Sequence, residues 1–253
     1  MSTFKSNIIQ GIVSSRAVIC VLSFASLIVL VSTKQFMNEY NSSTFLRPGF
    51  HVAVIVNAIS SDTLSFGTPI IAVIPMSGIY VEDMRSNFIR YYLFRSSRKA
   101  YAVGRLVGCF LSGGMVLFGG VLLAYEISLL AFLPLEVVTE VEAVNNPDLR
   151  DIVRAATSLV LSGGFWSVFG LTMSALMESK YIAYSSPFIA FYILTILHER
   201  YMNDLFVFAP KEWLNPSSKW VVGSWGPSIV ILEFTLLSAL LYVFKAERRL
   251  REL

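Results

Sequence analysis

The chain has 253 residues, of which 55% are hydrophobic and 15% are charged, and its mean hydropathy is +0.65. This apolar fraction exceeds that of ordinary globular domains, so the composition excludes a soluble globular protein and places the chain among membrane proteins. The formal net charge of +3 is small and divided among several loops, which excludes nucleic acid as a partner.

The first predicted element is an amphipathic helix over residues 1–15. Phe4, Ile8 and Ile12 recur at helical spacing and form one apolar face. A helix of this kind lies in the membrane surface with its apolar face in the lipid. We expect it on the inner surface of the membrane.

Uncharged runs long enough to cross a bilayer, about 17 to 25 residues, recur along the chain. The last of these runs, 220–244, contains one charge, Glu233. We accept it as the sixth span because of its length and the basic residues after it. We therefore predict an all-α protein with six membrane-spanning helices in a single transmembrane domain over residues 1–253. The first five spans cover 17–33, 63–81, 106–125, 155–177 and 181–197.

The positions of the basic residues predict the orientation of these spans. With both termini inside, 13 of the 20 Lys and Arg residues fall on the inner side, as the positive-inside rule requires. The segment after the third span, which includes Glu136 and Glu140, is acidic and fits an external loop. The sequence predicts a multi-pass protein of a bacterial-type inner (plasma) membrane, with both termini in the cytoplasm.

Two connecting segments have a character of their own. In the cytoplasmic loop 82–101, aromatic residues such as Phe88 alternate with arginines. A loop that only attracts lipid headgroups needs no aromatic residues, so this mixture favours docking on a protein partner. In the external segment 202–219, Pro210 and Pro216 interrupt short apolar pieces, which predicts a re-entrant or interfacial hairpin before the last span.

The third and fourth spans share the string LSGG, in residues 110–123 and 160–173. The same string occurs in the signature of ATP-binding cassette ATPases. Both copies, however, lie inside uncharged spanning runs, and the chain contains no G-x-x-x-x-G-K-[ST] phosphate-binding loop. The glycines therefore predict close packing of the two helices rather than ATP hydrolysis by this chain.

No catalytic residue and no metal site is predicted. The His-Glu-Arg cluster at 198–200 fits an anchor at a helix end, since His51 is the only other histidine. Cys20 and Cys109 fall in different apolar runs and lack metal-ligand spacing. Glu233 is the candidate pathway residue, because a carboxylate within a span is costly unless it faces protein or water. A hydrogen bond between helices is the alternative interpretation.

The order of elements resembles an ATP-binding cassette transporter permease of the type-2 exporter class. The resemblance covers nearly the whole chain. It comprises the surface helix, the six spans, the stretch "VEDMRSNFIRYYLFRSSRKAYAVGRLVG" after span two, the stretch "SALMESKYIAYSSPFIAFYIL" between spans four and five, and the broken hairpin before span six.

This resemblance implies a transmembrane subunit that forms the translocation pathway of an exporter. It implies pairing with a second permease copy or a paralogue, and binding of separate ATPase subunits that hold the ATP, so that this chain needs no cofactor. The loop after span two would be the coupling helix, and spans two and five would line the path, near Thr68, Pro69 and residues 185–188. The implied coupling residues are Glu82, Asp83, Arg85, Phe88 and Arg90.

Two other functions stay open at this stage. A secondary transporter could use Glu233 as a proton or ion site and would need no ATPase partner. A membrane assembly or immunity protein would bind a partner without transporting anything.

Overall fold

The computed structural model describes residues 11, 14–42, 46, 49–86, 89, 97–136, 149–201, 206–214, 220 and 225–251, with the side chains of 39–42 and 149–151 left aside. Within these residues the chain is helical and contains no β-strand. The helices are α1 (Ser15–Ser42), α2 (Phe50–Ile59), α3 (Asp62–Val73), α4 (Ile79–Arg85), α5 (Arg98–Phe132), α6 (Leu149–Met177), α7 (Lys180–Arg200), α8 (Pro210–Leu214) and α9 (Gly226–Arg251).

Five helices, α1, α5, α6, α7 and α9, are long and apolar enough to cross a membrane. They confirm the prediction of an all-helical, multi-pass membrane protein. Helices α2 and α3 together meet the same criterion, but they are bent by 67° relative to each other. A sixth crossing therefore depends on counting this bent pair as one span.

The continuous second span predicted over 63–81 is not observed. Helix α3 ends at Val73, residues 74–78 form a turn, and α4 begins at Ile79. Pro75 lies in this turn, and proline both lacks the N–H that the helix needs and disfavours a helical residue before it. The break leaves α4 as a short separate helix between α3 and α5.

Helix α6 is the centre of the bundle, with 72% of its most apolar stretch buried against 22% in α7 and 28% in α9. It crosses α5 at the glycines of the two LSGG strings. A Cβ atom on Gly113 would lie 2.5 Å from the carbonyl oxygen of Gly163, a distance that real Cβ atoms do not reach. The predicted close packing of these two spans is thereby confirmed.

The segment 202–219, predicted to be external, packs onto the bundle through α8. Trp213 on this short helix is 1% exposed and lies edge-on to Phe165 of α6, with ring centres 5.6 Å apart. Its indole N–H donates a hydrogen bond to the carbonyl oxygen of Val207 at 2.9 Å. Residues 202–205 and 215–219 of the predicted hairpin lie outside the described residues.

Two polar groups fix the end of the bundle where α8 lies. The carboxylate of Glu136 accepts hydrogen bonds from the backbone N–H groups of Gly49 and His51, at the start of α2. Lys211 pairs with Asp62 at 3.1 Å and with Glu199 at 3.3 Å. The first contact joins α2 to the segment after α5, and the second joins α3, α7 and α8, all at the same end of the bundle.

The surface helix predicted over residues 1–15 lies almost entirely outside the described residues. Gly11 is described and is buried. Its carbonyl oxygen accepts a hydrogen bond from the Ser112 hydroxyl of α5 at 2.9 Å. A Cβ atom at Gly11 would lie 2.5 Å from the sulfur of Met76. At this residue the chain is enclosed by the bundle.

Candidate functional site

Basic residues cluster at the end of the bundle opposite α8, the basic end. Helices α1 and α5 begin there, α9 ends there, and α4 lies among them, as the ion pairs from Arg16 to Glu82 and from Glu178 to Arg249 indicate. The described basic residues at these helix ends are Arg16, Arg85, Arg98, Lys99, Arg105, Lys180, Lys245, Arg248, Arg249 and Arg251.

The shortest ion pair among the described residues of the basic end joins α4 to α5. The Nη2 of Arg105 lies 2.6 Å from Oδ2 of Asp83, and the hydroxyl of Tyr101 donates to the same oxygen at 2.7 Å. The Arg105 side chain is 1% exposed and that of Asp83 is 12% exposed. A buried charge is tolerated only when it is paired and hydrogen-bonded, and this carboxylate is both.

Local helical geometry explains why these groups meet. Tyr101 and Arg105 are four residues apart on α5 and therefore share one helix face. The guanidinium carbon of Arg105 lies 5.7 Å from the centre of the Tyr101 ring, within the range of a cation–π contact. Burial raises the pKa of Asp83, and the charge of Arg105 together with the hydrogen bonds from Arg105 and Tyr101 offset part of that rise.

A pair of tyrosines connects α4 to α9 beside this ion pair. The rings of Tyr80 and Tyr242 meet edge to face with centres 5.7 Å apart, and both side chains are almost fully buried. Among the described residues no hydrogen-bond partner reaches either hydroxyl. Burial raises the pKa of Tyr80 to about 12.

The outer edge of α4 is more open. Glu82 lies 3.4 Å from Arg16 of α1, and both side chains are substantially exposed. Arg85, in the last turn of α4, is exposed. Exposed ion pairs contribute between about 0 and 1 kcal/mol, so the outer edge can exchange its partners at little cost. Helix α4 thus has one face fixed inside the bundle and one edge available for contact.

The residues predicted to couple to a partner have different positions. Glu82 and Arg85 lie on the open edge of α4, whereas the Asp83 side chain points inward to Arg105. Phe88 and Arg90 lie outside the described residues. A role for Asp83 in coupling would consist in holding α4 in place rather than in touching a partner.

Sequence reasoning did not single out Arg105, Tyr101, Tyr80 or Tyr242. In the sequence, Arg105 is only one of the 13 basic residues assigned to the inner side. One signal was available, because Tyr101 and Arg105 stand at i and i+4 where α5 begins. The tyrosine pair has no comparable signal, since its members are 162 residues apart in the chain.

The candidate pathway residue, Glu233, lies on the exposed face of α9. It therefore does not point between the helices of this chain. In the part of the chain that the structure describes, no group of three or more His, Cys, Asp or Glu residues is placed to hold a metal ion.

No protein-family model matches the chain, and no curated protein matches its sequence. The resemblance to exporter permeases therefore stays a prediction.

Proposed function

We propose that the chain is the membrane-spanning subunit of an ATP-driven exporter of the type-2 ATP-binding cassette class. In this proposal ATP is bound and hydrolysed by separate ATPase subunits. A second permease copy or a paralogue completes the pathway, and membrane lipid surrounds it. The basic end faces the cytoplasm under the positive-inside rule, and the bent pair α2–α3 counts as the second of six spans.

The observation that supports this proposal best is the two-sided character of α4. Its inner face is joined to α5 by the contact between Asp83 and Arg105, and to α9 by the contact between Tyr80 and Tyr242. Its outer edge exposes Arg85. A short helix built in this way transmits a force applied at the outer edge to two spanning helices.

The placement of α4 also agrees with the family resemblance. In exporter permeases of this class the loop after span two forms the coupling helix, and α4 follows α3 directly at the basic end. Basic side chains dominate this end, which suits contact with an acidic protein surface.

The helices proposed to line the path are adjacent, although their individual residues differ in exposure. The rings of Phe66 of α3 and Phe191 of α7 are in contact, with their centres 5.1 Å apart and their planes inclined by 59°. Thr68 is 1% exposed and donates to the carbonyl oxygen of Leu64, so it faces the protein interior. Phe188 lies on the exposed face of α7 and is the better candidate for the path.

The test is purification of the tagged chain from its native membranes in mild detergent, with its stoichiometric companions identified by mass spectrometry. We expect a phosphate-loop ATPase to be recovered with the wild-type chain. Arg85→Glu reverses a charge on the open edge of α4, so it should release this ATPase or uncouple its hydrolysis. Arg251→Glu makes the same change at the end of α9 and serves as the matched control.

Two results would contradict the proposal. Recovery of the folded wild-type chain without any ATPase would remove its basis. An Arg85→Glu variant that binds the ATPase and supports hydrolysis at the wild-type rate would reject α4 as the coupling helix. Release by both charge reversals to the same degree would show general electrostatic attraction, which also contradicts a specific role for α4.

A secondary transporter that uses Glu233 has no specific structural observation in its favour, because Glu233 is exposed on α9 instead of being enclosed by spans. The structure likewise has no feature that favours an assembly or immunity protein.

A further inference from the structure

Glu233 lies well inside the membrane-spanning part of α9. It follows Gly226, the first residue of the helix, by seven positions and precedes Lys245 by twelve. At 1.5 Å per residue, these separations correspond to about 10 Å and about 18 Å along the helix axis. Together the two lengths match the thickness of a hydrocarbon layer, about 30 Å, so Glu233 lies near the middle of that layer.

The surroundings of Glu233 on this chain are apolar and outward-facing. Its neighbours one and two turns along the helix, Ile229, Leu236 and Leu240, are 46%, 64% and 69% exposed. Among the described residues none forms a hydrogen bond or ion pair with the Glu233 carboxyl group. Lipid chains offer no such partner either, and an ionisable group at this depth is costly in lipid. The group that covers Glu233 is therefore unlike lipid.

The spacing of this face is that of a helix-pairing seam. Ile229, Glu233, Leu236 and Leu240 follow one another at intervals of four, three and four residues. This is the a/d pattern of a coiled coil, in which the side chains of one helix fit between those of a similar helix. Spanning helices commonly pack with the same left-handed geometry. A single polar residue at an a position is a device that fixes the register and the number of helices in such contacts.

We propose that the α9 face around Glu233 is the contact with a second copy of this chain, with the two Glu233 carboxyl groups facing each other across a two-fold axis. In a symmetric dimer a residue on the axis meets itself, and two adjacent carboxyl groups share a proton and hydrogen-bond to each other. A second copy thus supplies the polar partner that this chain lacks at that depth. A different chain would need a donor of its own at the matching position.

This inference does not depend on the proposed coupling to an ATPase. It concerns α9 at mid-membrane, whereas coupling concerns α4 at the basic end. Failure of one leaves the other untouched, because the dimer contact and ATPase recovery are measured separately.

The test uses single cysteines at Leu236 and Leu240, which follow Glu233 on the same face of α9 and leave it in place. Leu30 on α1 is 63% exposed and provides the control position. The native thiols, Cys20 and Cys109, are buried, and the chain without an added cysteine controls for their reaction. In native membranes, oxidation should give a dimer-sized band for Leu236→Cys or Leu240→Cys and none for Leu30→Cys.

Spin labels at the same positions, in the full chain reconstituted in phospholipid vesicles, separate the other outcomes. We expect dipolar broadening and low access to oxygen at Leu236 and Leu240, with high oxygen access and no broadening at Leu30. Replacement of Glu233 by Leu should abolish the broadening and the cross-link. Glu233→Gln retains a group that hydrogen-bonds to itself and should preserve both.

Three outcomes would overturn the proposal. Oxygen access at Leu236 and Leu240 equal to that at Leu30 would place this face in lipid. Access to a water-soluble relaxation agent would show an aqueous path along α9. Labels that are shielded from both agents but show no broadening or cross-link would mean that another protein, and not a second copy, covers this face.

Discussion

The Nη2 of Arg105 and the Oδ2 of Asp83 lie 2.6 Å apart where α5 begins, and almost none of the Arg105 side chain is exposed. Removal of one member of a buried ion pair leaves the other charged without compensation, which costs more than the pair contributes as a whole. This asymmetry gives the pair a measurable signature.

We expect Asp83→Ala or Arg105→Ala to lower the free energy of unfolding by about 3–5 kcal/mol. The double variant Asp83→Leu/Arg105→Met replaces both charges with apolar groups and should lose clearly less. Thermal unfolding of the detergent-solubilised protein, followed by size-exclusion chromatography, measures the order of stabilities. A double variant less stable than either single variant would show that the two residues do not act as a pair.

The crossing of α5 and α6 predicts that Gly113→Ala or Gly163→Ala destabilises the bundle. The added methyl group at Gly113 would meet the backbone oxygen of Gly163, and backbone cannot move aside as a flexible side chain can. Such overpacking costs about 1–3 kcal/mol. Gly67→Ala in α3 is the matched control, since its nearest neighbour lies at 3.4 Å, an ordinary contact distance. Equal stability of the three variants would contradict this close crossing.

The positions of the helices followed from the sequence because lipid requires long uncharged runs, and α1, α5, α6, α7 and α9 contain such runs. The break between α3 and α4 did not follow from the sequence in this way, because the run 63–81 is uncharged throughout although it contains Pro75. Charge alone does not distinguish a straight span from an interrupted one, so proline must be considered separately.

The candidate site was predictable only in part. Glu82 and Arg85 are three residues apart in one predicted loop, so the sequence singled them out together. The ion pair between Asp83 and Arg105 joins α4 to α5 across 22 residues of sequence, and no local sequence pattern predicts such a contact. The exposure of Glu233 was also hidden, because α9 has apolar residues around most of its circumference and the sequence does not reveal which face is outside.

Two tryptophans near the α8 end of the bundle are expected to differ in their contribution to stability. Trp213→Ala removes a ring that is 1% exposed and packed on Phe165, and loss of a buried aromatic side chain costs about 3–5 kcal/mol. Trp225 is 69% exposed within the same region, so Trp225→Ala should change stability by less than about 0.5 kcal/mol. Thermal unfolding of both variants in one detergent provides the comparison. If both behaved alike, α8 would not be anchored by Trp213.

The turn between α6 and α7 predicts a stabilising substitution. Glu178 has a φ of 52°, in the left-handed region, where a residue other than glycine is strained by about 1–2 kcal/mol. Glu178→Gly removes the strain and also the exposed ion pair with Arg249, which contributes at most about 1 kcal/mol. The variant should therefore match or exceed the wild-type melting temperature. Glu178→Ala, which loses the ion pair and keeps the strain, should fall below both.

The hydroxyl of Tyr80 has no hydrogen-bond partner among the described residues, and a buried polar group without a partner is costly. We therefore expect Tyr80→Phe to be neutral or stabilising at pH 7. Burial raises the pKa of Tyr80 from its ordinary value of about 10 to about 12. Because the unfolded chain releases this proton at a lower pH than the folded protein does, the wild type loses stability as the pH rises from about 10 toward 12. Unfolding measured across this range should show a smaller loss for Tyr80→Phe than for the wild type. A lower stability of the variant at pH 7 would indicate that the hydroxyl has a partner.

The enclosure of Gly11 has a consequence for the order of events during biosynthesis. Its hydrogen-bond partner, Ser112, is 101 residues later in the chain, and Phe24 of α1 packs against Gly120. The ribosome therefore delivers α1 to the membrane well before α5 exists. During that interval α1 has only lipid or the insertion machinery as a neighbour, and its native docking is a late event that waits for α5.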